Sequence, residues 1–266
     1  MLRRAAGGAA LGLLAAGALF AHDTWLLPDR LALAPGQGTT LALTSGMAFP
    51  RNETAIRPER VRTAQVRLAG RTATLKSAGS ARGALRFRHE FPAAGVATLW
   101  VSLAPRDLEL APDEVAHYLD EIAAPDSVRA AYEAQPAPRR WRERYAKHAK
   151  TFVRVGDPAG DRSWREPTGQ ALELVPLDDP TALQPGSALT VRVLRGGAPL
   201  AGFPVGVVRA GGAQAALVRA DAEGVLRIAL PEAGRWMLRG TELRRGTADG
   251  VDWESDFATL TLEVRP

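Results

Sequence analysis

Short runs in which apolar and polar residues alternate dominate the last third of the chain. ALELVPL (171–177), ALTVRVL (188–194), FPVGVVRA (203–210), AALVRA (215–220), GVLRIAL (224–230), GRWMLRG (234–240) and DFATLTLEV (256–264) are seven such runs, separated by turn residues. A period of two puts one face of each run in a core and the other in water. With Gly and Pro punctuation at this spacing, the pattern predicts antiparallel β structure.

The first third carries the same pattern. LALAPGQGTTLALTSG (31–46) resembles TALQPGSALTVRVLRG (181–196): a Pro-Gly turn, then an alternating strand. FPAAGVATLWVSL (91–103) resembles LPEAGRWMLRGTEL (230–243): apolar-Pro-x-Ala-Gly, then another strand. The two motifs lie about 60 residues apart in the first unit and about 49 in the second, so together they frame one compact unit each time. The expected fold is mainly β, with two immunoglobulin-like antiparallel β-sandwich domains over 22–105 and 171–266, joined by a short helical segment.

Between them, over 106–170, the period changes. Asp113 to Ala123 reads as a helix with Val115, Leu119 and Ile122 on one face, and residues 127–134 as a second, ended by Pro136 and Pro138. Trp141, Tyr145, His148 and Phe152 recur at helical spacing, which predicts a third helix over 139–150. Residues 155–170 read as a polar linker.

The start of the chain does not fit a β pattern. Arg3 and Arg4 precede an apolar run from Ala5 to Phe20, the layout of a secretory signal over 1–21. That run is shorter than the roughly 20 apolar residues a membrane span needs, and no later run reaches that length, so no membrane span is expected after signal removal. A cut after Ala18 suits the small-residue rule better; a cut after Ala21 makes His22 the first residue. The expected location is the periplasm. There is no cysteine, hence no disulfide framework and no thiolate metal site. The formal charge is +5 over 34 basic and 29 acidic residues, and lysine occurs only at 76, 147 and 150. An arginine-rich but acid-balanced surface gives no ground for nucleic-acid binding.

No nucleophile elbow, phosphate loop, zinc-helix motif or dinucleotide fingerprint occurs, so no catalytic residues and no organic cofactor are expected. Histidines supply the remaining chemistry. An N-terminal His22 would chelate a metal through its α-amine and its imidazole, since an α-amine gives up its proton near pH 8, at roughly 7.7–8.0. Its bland reading is the start of a strand that carries Trp25 into the core. His89 alternates with Leu85, Phe87 and Phe91 and should point inward or to the rim of a sheet. His117 shares a helix face with Asp113 and Glu121, either a weak cation site or a solvated acidic face. His148 falls on the apolar stripe and reads as packing. Arg139, Arg140, Arg142, Arg144, Lys147 and Lys150 should pair with acids of the sandwiches or face solvent. Asp252, Glu254 and Asp256 alternate onto one strand face, which reads as a solvated edge before it reads as a cation site.

Four stretches resemble the bacterial periplasmic family known as domain of unknown function 4198, some of whose members are described as components of cobalt or nickel uptake systems. They are AHDTWLLPDRLALAPGQ (21–37), RERYAKHAKTFVRVG (142–156), LELVPLDDPTALQPGSALTVRVLRGGAPLAG (172–202) and WESDFATLTLEV (253–264). The resemblance implies an N-terminal histidine site, carried here by His22 alone, and favours the cut after Ala21. His148 stands where an aromatic is expected.

The expected function is binding of a nickel, cobalt or copper ion for uptake or delivery, through His22 with help from His89 or His117, alongside an envelope or transporter partner. A non-catalytic immunoglobulin-like interaction module for an envelope protein or glycan is the alternative. A copper-dependent oxidative enzyme is a third reading, and needs a second histidine beside the first.

Overall fold

A computed structural model describes residues 22–266 except Ala159 and Ala213. The secretory-signal run over 1–21 lies outside the described residues. The first unit begins with β1 (Asp23–Pro28), β2 (Ala32–Leu33), β3 (Gly38–Gly46) and β4 (Thr54–Ala55). It continues through β5 (Val61–Leu68), β6 (Arg71–Thr74), β7 (Lys76–Ala81), β8 (Ala84–Glu90) and β9 (Gly95–Leu103). Then come β10 (Arg106–Leu110), α1 (Pro112–Glu121), α2 (Asp126–Glu133) and the long β11 (Trp141–Val155). The second unit holds β12 (Leu172–Pro176), β13 (Ser187–Arg195), β14 (Ala198–Pro199) and β15 (Pro204–Arg209). It ends with β16 (Gln214–Arg219), β17 (Val225–Leu230), β18 (Gly234–Arg245) and β19 (Trp253–Val264). The chain is mainly β, and all seven runs expected in the last third are strands.

Strand order shows two immunoglobulin-like sandwiches. In the second, β12-β13-β17 form one sheet and β16-β15-β18-β19 face it. In the first, β1-β3-β8-β7 face β11-β9-β5-β6. The strands thus alternate between sheets in the Greek-key manner of that fold. The repeated motifs occupy equivalent places. Gly36 and Gly186, at φ 82° and 85°, complete the two Pro-Gly turns. Their N–H groups donate to the carbonyls of Phe91 and Leu230, the residues that precede the two Pro-x-Ala-Gly corners. Only glycine adopts that backbone region without strain.

One correction concerns residues 139–150, which are not a helix. Residues 141–155 form β11, the last strand of the first sandwich, and α1 and α2 sit in the connection that leads to it. β11 pairs antiparallel with β9 on one edge and in parallel with β19 on the other, from Glu143–Trp253 to Thr151–Thr261. The inner sheets therefore merge into one ten-stranded sheet. Residues 252–256 are corrected likewise: β19 lies between β18 and β11 and is no edge.

The two outer sheets cover opposite faces of this shared sheet. Ala149, Val153 and Val155 of β11 join the first core with Leu26, Leu41, Leu43 and Phe87. Phe152, between them in sequence, joins the second core with Leu189, Val191, Leu260 and Leu262. A strand buried on both faces loses the alternation that would reveal it, and the spacing of Trp141, Tyr145, His148 and Phe152 then mimics a helix.

α1 and α2 pack Val115, Tyr118, Leu119, Val128 and Tyr132 against Trp141, Trp253 and Phe257 at the start of the parallel pair. Trp141 and Trp253 stack at 4.8 Å. Beneath them the buried Glu143 carboxylate accepts hydrogen bonds from Tyr118 Oη and Trp141 Nε1, both 2.8 Å, and from Ser255 Oγ. Replacing Glu143 with leucine strands these donors, and we expect a loss of about 3 kcal/mol of unfolding free energy in urea titration.

Candidate functional site

β1 is an edge strand of its own sheet, bonded to β3 on one side. Its free carbonyls lie over the β11–β19 junction, and side chains of that junction satisfy them. Thr259 Oγ1 donates to the Thr24 carbonyl and Thr261 Oγ1 to that of Leu26, each at 2.6 Å. Lys147 Nζ donates to the His22 carbonyl at 2.5 Å. The backbone of His22 is thereby fixed, with its side chain beside it.

Two carboxylates flank this point. Burial raises the Asp23 carboxyl above its ordinary value, opposed by Arg239, whose Nη1 donates to it at 2.8 Å. Glu53 is held below its ordinary value by the backbone N–H groups of Met47 and Ala48, at 3.1 and 2.8 Å. The His22 imidazole acts electrostatically on both carboxylates. Its Nδ1 is buried and has no hydrogen-bond partner among the described residues. Burial lowers Lys147 to about 8, opposed by the charge of Asp23. Its ammonium lies 5.5 Å from the Tyr145 ring centre and 5.2 Å from that of Phe257. A cavity of about 140 Å³ opens next to this cluster, between Asp23, Glu121, Arg239, Gln214 and Phe257.

The other sequence candidates are elsewhere. His89 is half-buried on β8, edge-on to Phe91, at the mouth of an open groove with Arg88 and Lys76. It is paired with Thr39, whereas Asp23 is paired with Gly46 at the other end of β3. At about 3.4 Å per residue, Asp23 and His89 stand some 24 Å apart along that strand, and His22 lies one position further out. His117 is exposed on α1, away from the packed face. Among the described residues no three or more His, Asp and Glu side chains are grouped to hold a metal.

His148 is buried on β11, with Nδ1 2.9 Å from Ser102 Oγ and Nε2 3.0 Å from Asp256 Oδ1. Arg244 Nη1 donates to the second Asp256 oxygen at 2.8 Å and to Glu242 at 2.6 Å, and pairs with Glu254 through Nη2. Asp252 is bound by Arg142, and Arg144 by Asp107. Lys150 pairs with buried Glu173. The acids of 252–256 are thus paired with basic side chains of the fold itself. Lys147, Arg239 and Glu53 are not recognisable in the sequence as site residues: Lys147 falls within the apparent helix, and the other two reach the site only through long-range pairing.

Taken together, these features define a protein of two immunoglobulin-like sandwiches fused through one sheet, with the first residues of β1 clamped over the seam. The chain belongs to the family described as domain of unknown function DUF4198, whose sequence pattern matches residues 19–241. No curated protein matches it. Among solved structures it is similar to the D0-D1 domain of intimin, at 12% identity over 91% of this chain and 97% of that one, with a TM-score of 0.24. The adhesin InvE of Yersinia pseudotuberculosis gives 14% identity over 89% of this chain and 58% of that one, also at 0.24.

Burial works to raise the Asp256 carboxyl, but the bonds and charges of His148 and Arg244 outweigh it, so in the folded protein it titrates below the ordinary aspartate value of 3.8. Such a group contributes stability that is present above that value and is lost as pH falls through the folded one. We expect Asp256→Asn to be less stable than the parent at pH 7, with a shallower fall of stability below about pH 4, read by urea unfolding across pH.

Proposed function

We propose that this protein works in the periplasm as a binder of a transition metal ion, nickel, cobalt or copper, for uptake or delivery to an envelope transporter partner. His22 is the anchoring ligand. The buried, unpartnered Nδ1 of His22, beside the carboxylates of Asp23 and Glu53, carries this reading. A buried ring nitrogen without a partner calls for one, and neutral imidazole suits these metals.

In a chain cut after Ala21, the His22 α-amine joins Nδ1 in a six-membered chelate. The Lys147 bond to the His22 carbonyl and the Asp23–Arg239 pair hold the chelate's backbone to the folded domain. The metal is cargo here. His89 and His117 stand outside the proposed ligand set because of where the fold puts them.

Mass spectrometry of the secreted protein should give His22 as its first residue. Titration of that form with nickel, cobalt and copper should show one tight site, and His22→Ala should weaken it at least tenfold, equivalent to about 1.4 kcal/mol. Equal binding by parent and variant would remove His22 from the site and leave the immunoglobulin-like interaction module as the reading.

A further inference from the structure

We infer that the groove beside His89 binds the phosphate group of a small soluble phosphate ester, through Lys76 and Arg88. The groove lies at the opposite end of β3 from His22, so the inference is independent of the metal site.

Among the described strands, two directly opposed cross-strand pairs carry like charges. They are Glu242 with Asp256 on β18 and β19, and Lys76 with Arg88 on β7 and β8. Like charges opposed on one sheet face are destabilising, and the fold treats the two pairs differently. Arg244 stands between the acids, its Nη1 donating to Glu242 at 2.6 Å and to Asp256 at 2.8 Å. Among the described residues no carboxylate pairs with Lys76 or Arg88 in the same way. The counter-ion that the fold builds in for one pair must come from outside for the other.

The acids that line the groove do not fill that place. Asp29 lies 3.6 Å from Arg86. Glu90 is turned across Gly38, where a Cβ would come within 2.9 Å of its Cγ. Arg30, whose Nη2 donates to the Gly38 carbonyl, adds a third cation to the lining. Burial holds His89 below its ordinary value, so it adds no charge at pH 7. Arg30, Lys76 and Arg88 therefore face the single remaining carboxylate of Glu90.

The row of side chains selects the ligand's chemistry. Thr40 flanks Arg88 on its other side, so an ammonium, a guanidinium and a hydroxyl follow one another across β7, β8 and β3. A guanidinium engages two phosphate oxygens at once, and an ammonium adds a point charge. Two cations also match a phosphate monoester, which carries about two negative charges at pH 7. The groove has a volume of about 780 Å³, within the range of small-molecule sites, roughly 300–1,000 Å³. A concave site of that size favours a soluble ester over a membrane surface.

The test is calorimetric titration of the secreted protein with glucose 6-phosphate and with glucose, beside flotation with phosphatidylglycerol vesicles. The parent should bind the sugar phosphate with a Kd of about 1 mM or tighter and show no binding of glucose. Arg88→Gln should weaken the phosphate ester at least tenfold and, with the repulsion removed, should melt no lower than the parent. Arg227→Gln takes the same charge from an exposed position on β17 and should bind as the parent does. Equal binding by Arg88→Gln and the parent overturns the inference, and so does an equal loss in Arg227→Gln, which would reduce the effect to overall charge. Absence of binding to the sugar phosphate, equal binding of glucose, or binding to vesicles alone overturns it too.

Discussion

The parallel pairing of β11 with β19 is the constraint from which the rest of the molecule follows. Each strand is the last of its own sandwich. Laying them side by side in the same direction turns two inner sheets into one, and it forces the outer sheets onto opposite faces. The strand order across the shared sheet reads the same from either end: fourth, third, sixth and seventh strand of one Greek key, then the mirror sequence of the other. The two halves are thus related by an approximate twofold axis that runs along the seam.

The seam also explains why charged groups are buried in the middle of the protein. The outer edge strands β1 and β12 lie over it with carbonyls that no neighbouring strand satisfies. Thr259, Thr261 and Lys147 serve β1, while Lys150 donates to the Leu174 carbonyl of β12 at 3.1 Å. Buried backbone acceptors must be paired, and a strand edge left bare invites another chain. The lysines bring charge with them. Glu173 answers Lys150 directly, while Asp23 and Glu143 act on Lys147 from nearby. The fixed backbone of His22 is therefore a by-product of edge management: the group that caps β1 does so through the His22 carbonyl.

How much of this is legible in the sequence depends on burial. The second sandwich is plain because its outer strands alternate cleanly, as in VLRIAL of β17, where Leu226, Ile228 and Leu230 are buried and Arg227 and Ala229 exposed. The repeat of Pro-Gly and Ala-Gly corners locates both units, since glycine at those positions is a backbone requirement. α1 is legible from Val115, Leu119 and Ile122, and α2 from the prolines 136 and 138 that end it. β11 is hidden because both its faces are covered and its buried positions include Glu143, Lys147, His148 and Lys150. For the site, His22 is visible through its place after the apolar run. Its neighbours are not, because pairing over more than a hundred residues brings Lys147 and Arg239 to it.

The same seam dictates when the molecule can be completed. β19 is the last of the described strands, and its partner β11 ends about a hundred residues earlier. Contacts so distant in sequence form late, after the entropy of closing a long loop has been overcome. As the chain emerges from its N-terminus, the first sandwich can assemble with β11 on its flank, but most of one edge of β11 stays bare and the carbonyls of β1 lack Thr259 and Thr261. A chain interrupted before Trp253 leaves that edge without its partner, the kind of bare strand edge that invites another chain. Pairing of β19, not local folding of the first half, is what closes the seam over β1.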